Sequence, residues 1–203
     1  MTSPVRLAAM SAAIKDGNAK KVALLLKSGV PADHAGASPA EGSFLELAAI
    51  WGQAEIFRML VAAGADLNEP ELLGTVTDAR GGEDAICVEI FDLIMDETSP
   101  DQDDLDDALR YAASNDNLEV IQRLVDAGGN PNGTEDTVFR FPLLNAVEAG
   151  RLDVVKQLLS LGADPGANSV RDRDDEGRIM ELGSLQDWAT QSGVSEEILA
   201  LLK

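Results

Sequence analysis

Apolar positions along this 203-residue chain come in paired helical stripes punctuated by glycine. Leu45, Ala48 and Ala49 stand at i, i+3 and i+4 and share one helix face. After Gly52 a second stripe follows, Ile56, Leu60 and Val61, and Gly64 closes it. Glycine enters positive φ without steric cost, so Gly52 and Gly64 can each stop a helix and turn the chain. The same figure recurs as AAIKDGNAKKVALLLKSGVPAD from Ala12, AASNDNLEVIQRLVDAGGNPN from Ala112 and FPLLNAVEAGRLDVVKQLLSLGADPG from Phe141. Gly29 to Gly64 is 35 residues and Gly128 to Gly162 is 34. A repeat of about 33 residues denotes one supersecondary unit stacked on copies of itself. No helix of such a pair buries its stripe alone; neighbouring pairs bury it together.

Two further stretches keep the helical pattern in weaker form. Glu71 to Thr98 carries Ile86, Val88, Ile90, Phe91, Leu93, Ile94 and Met95, with Arg80-Gly81-Gly82-Glu83 as its expected inter-helix turn. Ser184 to Lys203 reads as a final unit with Gly193 as the turn. Ser195-Glu196-Glu197 marks its last helix start, where acids face the positive end of the helix dipole.

The repeated figure resembles the ankyrin repeat, whose signature is roughly G-x-TPLHLAA-xx-G-H-x-EIV-xx-LL-xx-GADVN. Ser43-Phe44-Leu45-Glu46-Leu47-Ala48-Ala49 stands for the TPLHLAA box, and Gly52, Glu55, Ile56 and Gly64-Ala65-Asp66-Leu67-Asn68 match the rest. The copy at Phe141 keeps Pro142, Leu143, Gly150 and Gly162-Ala163-Asp164. Glu46, Arg110 and Leu144 replace the box histidine, which leaves the hydrogen bonding at those helix starts open. The resemblance implies an all-α solenoid of about six stacked helix-turn-helix units with finger-like loops. It forms a single domain over residues 1–203, with units near 4–33, 40–68, 69–98, 104–132, 138–166 and 182–203.

The resemblance also assigns surfaces. The two positions just before the inter-helix glycine face the concave groove of this family; Trp51 holds one of them, and Ile50, Ser114, Asn115, Glu148 and Ala149 occupy equivalent places. An exposed tryptophan there is an interface anchor, unless the loop Val30 to Gly42 folds over it. Tyr111 and Trp188 take box positions filled by leucine and are expected in the core. Three fingers are longer than the repeat needs: Val30 to Gly42, Gly133 to Arg140 and Ala163 to Gly183. Phe139 and Arg140 in the second, and Arg171 and Arg173 in the third, are expected to touch a partner, since long loops on a rigid scaffold carry binding function. Drift at a tolerant site is the plainer explanation of the added length.

Charge sharpens the picture. The chain has 36 acids against 16 bases, a formal charge of −20. Such a chain repels nucleic acid and anionic lipid and attracts basic proteins; solubility is the bland alternative. Seven carboxylates fall between Asp96 and Asp107 with no base among them. Asp106 and Asp107 can serve the start of the following helix, while Asp101, Asp103 and Asp104 are expected to form a negative knob for a partner's Arg or Lys. The alternative is a solvated edge.

Other chemistry finds no motif. From Asp101 a calcium-loop pattern puts Asp106 where glycine is needed and Ala112 where glutamate is needed. From Asp172, Gly177 fits the sixth position but Gly183 occupies the twelfth. The single histidine, His34, lies in an Ala/Gly/Pro-rich loop, and neither a nucleophile elbow nor a phosphate-binding loop occurs. One cysteine, Cys87, excludes an internal disulfide and fits a reducing compartment. The N-terminal stretch lacks the apolar run of a signal peptide. The expectation is a monomeric, cytoplasmic, non-enzymatic protein with no cofactor and no metal, binding neither nucleic acid nor membrane. Its expected role is a protein–protein interaction module, specifically a stoichiometric inhibitor of the immunity-protein or antitoxin kind covering a basic surface. A non-inhibitory scaffold is the alternative, and a metal-dependent enzyme using the acidic run a remote one.

Overall fold

The computed structural model describes residues 3–34, 36, 42–69, 72–78, 84–133, 141–174 and 178–203, with the backbone alone at 78, 84–87, 172 and 173. It divides into two compact units, Met1–Ser99 and Pro100–Lys203. In the first, α1 (Pro4–Lys15) pairs with α2 (Ala19–Lys27), α3 (Phe44–Ile50) with α4 (Ala54–Ala62), and α5 (Leu72–Asp78) with α6 (Asp84–Glu97). The first helices pack on one another, α1 on α3 on α5, and the second helices do the same, α2 on α4 on α6.

Local chemistry explains these helices. Ser43 accepts a hydrogen bond from the Glu46 backbone N–H at 3.0 Å, and Glu46 Oε2 accepts one from the Ser43 N–H at 2.6 Å. This reciprocal cap satisfies two otherwise orphaned donors, so the residue replacing the box histidine caps its own helix. Gly52, at φ 61°, ends α3; the following Gln53 N–H returns to the Ala48 carbonyl at 2.8 Å. Gly64, at φ 93°, does the same after α4, with Ala65 N–H bonded to Leu60 O. Leu45, Ala48, Ala49, Ile56 and Leu60 are buried as their spacing predicts, but Val61 is only half-buried. Phe57 completes the buried arc of α4, where an aromatic of its size contributes about 1.5–3 kcal/mol.

In the second unit α7 (Gln102–Ser114) pairs with α8 (Leu118–Asp126), α9 (Pro142–Glu148) with α10 (Leu152–Ser160), and α11 (Leu185–Gln191) with α12 (Glu196–Leu201). Stacking again runs helix on like helix, α7 on α9 on α11 and α8 on α10 on α12. Leu105, Leu109, Val120, Leu124, Leu143, Val155 and Leu158 fill the core. Side-chain amides stitch successive pairs together. Asn145 Nδ2 donates to Arg110 O at 2.9 Å, Gln157 Nε2 to Leu118 O at 2.8 Å, and Asn132 Oδ1 accepts from Asp164 N–H at 2.8 Å.

Three expectations need correction or refinement. Tyr111 and Trp188 are half-buried, not core. The Arg110 guanidinium lies over the Tyr111 ring at 4.3 Å, an arrangement that keeps the charged head and the phenol near water. Trp188 sits on α11, which packs on α9 on one side with no further helix pair on the other among the described residues. The stretch from Ala163 to Gly183 is not a plain loop. It holds an antiparallel hairpin of β1 (Ser169–Arg173) and β2 (Ile179–Ser184). Its register pairs Val170 with Gly183 and Arg171 with Glu181, so Leu182 has no opposite residue and forms a bulge.

Candidate protein-binding surfaces

In the first unit the end of α3 carries the clearest candidate. Trp51 caps that helix and is 50% exposed, and its neighbour Ile50 is exposed beside it. The indole stands open because Gly52 turns the chain immediately afterwards, so no later side chain of the same helix covers it. Of the finger Val30 to Gly42, residues 35 and 37–41 lie outside the described residues. His34 stacks on Phe44 with ring centroids 6.1 Å apart, which anchors the start of that finger to the core.

The carboxylates near this helix start divide by environment. Burial, as the largest cause, pushes the Glu69 carboxyl above its ordinary pKa; a hydrogen bond with Ser43 opposes the shift, and Glu46, Asp33 and Asp66 add to it. Asp66 is held below the ordinary range by hydrogen bonds from the backbone and side chain of Asn68.

The second unit places Ser114, Asn115 and Glu148 at the ends of α7 and α9. Asn115 Nδ2 donates to Tyr111 O at 3.1 Å, which holds the end of α7. Arg151 joins the two inter-helix turns: its Nε donates to Ser114 O at 3.4 Å and its Nη1 to Asp116 Oδ2 at 2.6 Å. Beside this link opens a cleft of about 390 Å³ lined by Asp116, Leu118, Gly150, Arg151, Leu152 and Asp153. Leu118 offers it an exposed apolar side chain. Asp116, Leu118 and Arg151 were missed because the reading stopped at the two positions before the turn, whereas the cleft is built from the turn position itself, Asp116 and Gly150, and from those after it.

The acidic run is not uniform. Asp101 caps α7 and accepts from Asp104 N–H at 3.0 Å, while Asp104 Oδ2 accepts from Asp101 N–H at 3.3 Å. Both remain exposed, as does Asp103. Asp107 pairs with Arg110 at 3.0 Å. Asp106 points inward, is 1% exposed, and accepts from Asn130 N–H at 2.6 Å and from Gln102 Nε2 at 2.9 Å. Asp101, Asp103 and Asp104 are thus exposed at the helix start, whereas Asp106 serves the fold. Among the described residues no group of three or more His, Cys, Asp or Glu is placed to hold a metal ion.

Arg171 lies on β1, half-buried, and the backbone of Arg173 ends that strand opposite Ile179. The Arg173 side chain, Phe139, Arg140, the turn Arg80 to Glu83 and the Cys87 side chain lie outside the described residues. The hairpin also exposes Ile179, Met180 and Leu182. Their sequence signal was weak: neither VRDR nor IMEL alternates apolar with polar residues, and only the composition of the intervening Asp-Asp-Glu-Gly favours a turn.

Comparison with known proteins bears on the fold that carries these residues. A family model for ankyrin repeats, in three copies, matches residues 82–169. The 2-5A-dependent ribonuclease of Mus musculus is 45% identical over 60 residues, which is 30% of this chain and 8% of that protein. The chain thus spans under a tenth of that relative, and the match concerns repeats alone. Among solved structures, the ankyrin repeat protein EF0377 superposes with a TM-score of 0.67 at 23% identity, covering 97% of this chain and 96% of that one. The ankyrin repeat domain of Bcl-3, of the IkappaB family, gives 0.63 at 23% identity, covering 96% and 82%. At that identity the likeness is one of fold.

Proposed function

The chain belongs to the ankyrin repeat family, whose repeats serve as protein–protein interaction modules, and from that premise we propose that it is a stoichiometric inhibitor covering a basic surface of a partner protein. The observation that carries this reading is charge. The formal charge is −20, and Asp103, Asp104, Asp116, Glu148 and Asp153 are all exposed on the second unit. Long-range attraction speeds the capture of a basic partner, and speed is what neutralising a toxic enzyme demands. Trp51 and Ile50 supply apolar contact once charge has brought the surfaces together. The protein acts by occupancy as a monomer in the cytoplasm, in the manner of an immunity protein or antitoxin. None of its described helices is long and apolar enough to cross a membrane.

The test begins with capture at low salt from the native lysate, release by a salt step, and identification of what is released. The captured protein is then assayed while this chain is titrated in. Complete loss of activity at one equivalent is the expected result. Full activity at saturation overturns the inhibitor and favours a scaffold.

A further inference from the structure

We propose that the free edge of β2 takes an extended, basic strand of a partner protein by β-augmentation. The sheet has two strands only, so the outer edge of β2 presents main-chain N–H and C=O groups with no strand beside them among the described residues. Such an edge is a template for another chain. A lone two-stranded hairpin is also marginal in water, and this one exposes unusual apolar area for its size. Ile179 is 57% exposed, Met180 43% and Leu182 39%. Consecutive side chains alternate across a strand, so Ile179 and Glu181 share one face and Met180 takes the other. The bulge re-aims Leu182.

Charge decides which strand fits. Arg178 is held by Asp174, with Nε at 2.7 Å from Oδ2. Glu181 lies opposite Arg171 in the ladder without an ion pair between them among the described residues. The edge therefore offers one uncommitted carboxylate between apolar side chains. A strand that sets a Lys or Arg opposite Glu181 and apolar groups opposite Ile179 and Met180 matches it, since opposite charges across a ladder attract and like charges repel. A second copy of this chain fits badly. Antiparallel pairing about a two-fold axis through Glu181 would oppose it to itself, and each chain carries a charge of −20. The proposal does not depend on inhibition; the edge serves a scaffold equally well.

The test uses the full-length protein labelled with ¹⁵N and a capped octapeptide whose single central lysine is flanked on both sides by valines, so that lysine opposite Glu181 leaves valine opposite Ile179 and Met180. Saturable amide shifts confined to residues 178–184 are expected. The same peptide N-methylated on alternate residues, to remove the edge-facing donors, should lose binding, as should the same peptide with glutamate in place of its lysine. Glu181→Lys should weaken the lysine peptide by about two- to thirtyfold, since it loses one cross-strand charge pair and gains a repulsion of similar size. Its fold is checked by unchanged shifts elsewhere. The N-methylated peptide keeps the test decisive should that variant fail to fold. Shifts spread over α7 and Trp51, or undiminished binding by the N-methylated peptide, overturn the proposal as general charge attraction. Concentration-dependent β2 shifts without peptide overturn it in favour of a second copy.

Discussion

Asp106 offers the sharpest test of how this acidic chain divides its carboxylates between folding and binding. Its Oδ1 holds the Asn130 backbone N–H at 2.6 Å and Gln102 Nε2 at 2.9 Å, and its Oδ2 is buried with no hydrogen-bond partner among the described residues. The first bond ties α7 to the turn after α8, across 24 residues of chain. Asp106→Ala removes both bonds and strands the Asn130 donor. Bonds to a charged group are worth about 1.5–3 kcal/mol each, and a stranded buried donor costs about 1–3 kcal/mol. Relief from keeping a charge out of water offsets part of that, leaving a net loss of about 2–4 kcal/mol. Asp106→Asn keeps an oxygen for both donors and removes the buried charge, so its loss should stay near about 1 kcal/mol. Urea unfolding checks this by Trp188 fluorescence in a Trp51→Phe background, which reports on the second unit alone. Hydrogen exchange at the Asn130 amide gives a local reading. Two results refute the reasoning: Asp106→Ala as stable as the parent, or Asp106→Asn as damaging as Asp106→Ala.

Leu158→Ala should destabilise the second unit by about 2–5 kcal/mol, because the side chain is fully buried between stacked helices and little can collapse into the cavity; a negligible shift of the urea midpoint would contradict the packing. Replacing Asp101, Asp103 and Asp104 with Asn should leave the fold in place, since Asn still caps a helix. It should slow association with the captured partner, mostly at low salt, and stopped-flow rates unchanged by the substitutions would remove the knob from the interface. Trp51→Ala should weaken partner affinity by at least tenfold, the mark of an interface hot spot, without moving the unfolding midpoint; calorimetry decides. Glu69→Gln should stabilise the first unit at pH 7, with the gain vanishing near pH 4. Its raised folded-state pKa means the protonated form is preferred on folding. That contribution is full below the unfolded pKa and is lost as pH rises through the folded one. A Tm difference that does not change with pH would refute the assignment.

The helix pairs, their turns and the family were legible in the chain because their causes are local. A stripe such as Leu45, Ala48 and Ala49 is set by 3.6-residue periodicity, and Gly52 and Gly64 adopt backbone angles that other residues resist. The candidate surfaces were legible in part. Trp51 is exposed where the resemblance put it, and Asp101, Asp103 and Asp104 stay at the surface. Tyr111 and Trp188 did not follow the family's core positions, because burial depends on what packs outside a residue and not on its place in the repeat.

What only the tertiary structure decided rests on contacts between residues far apart in sequence. Seven carboxylates between Asp96 and Asp107 look alike as letters, yet Asp106 alone among those described is buried, because Asn130 and Gln102 reach it. Arg151 closes on Ser114 across 37 residues and shapes the cleft at Asp116 and Leu118. The hairpin edge at Ile179 to Leu182 stands open because β1 pairs with one side of β2 and nothing described covers the other. Periodicity and backbone preference act within a few residues and can be read in order along the chain. Burial, pairing and an uncovered edge arise only when separate stretches meet, and folding alone decides which do.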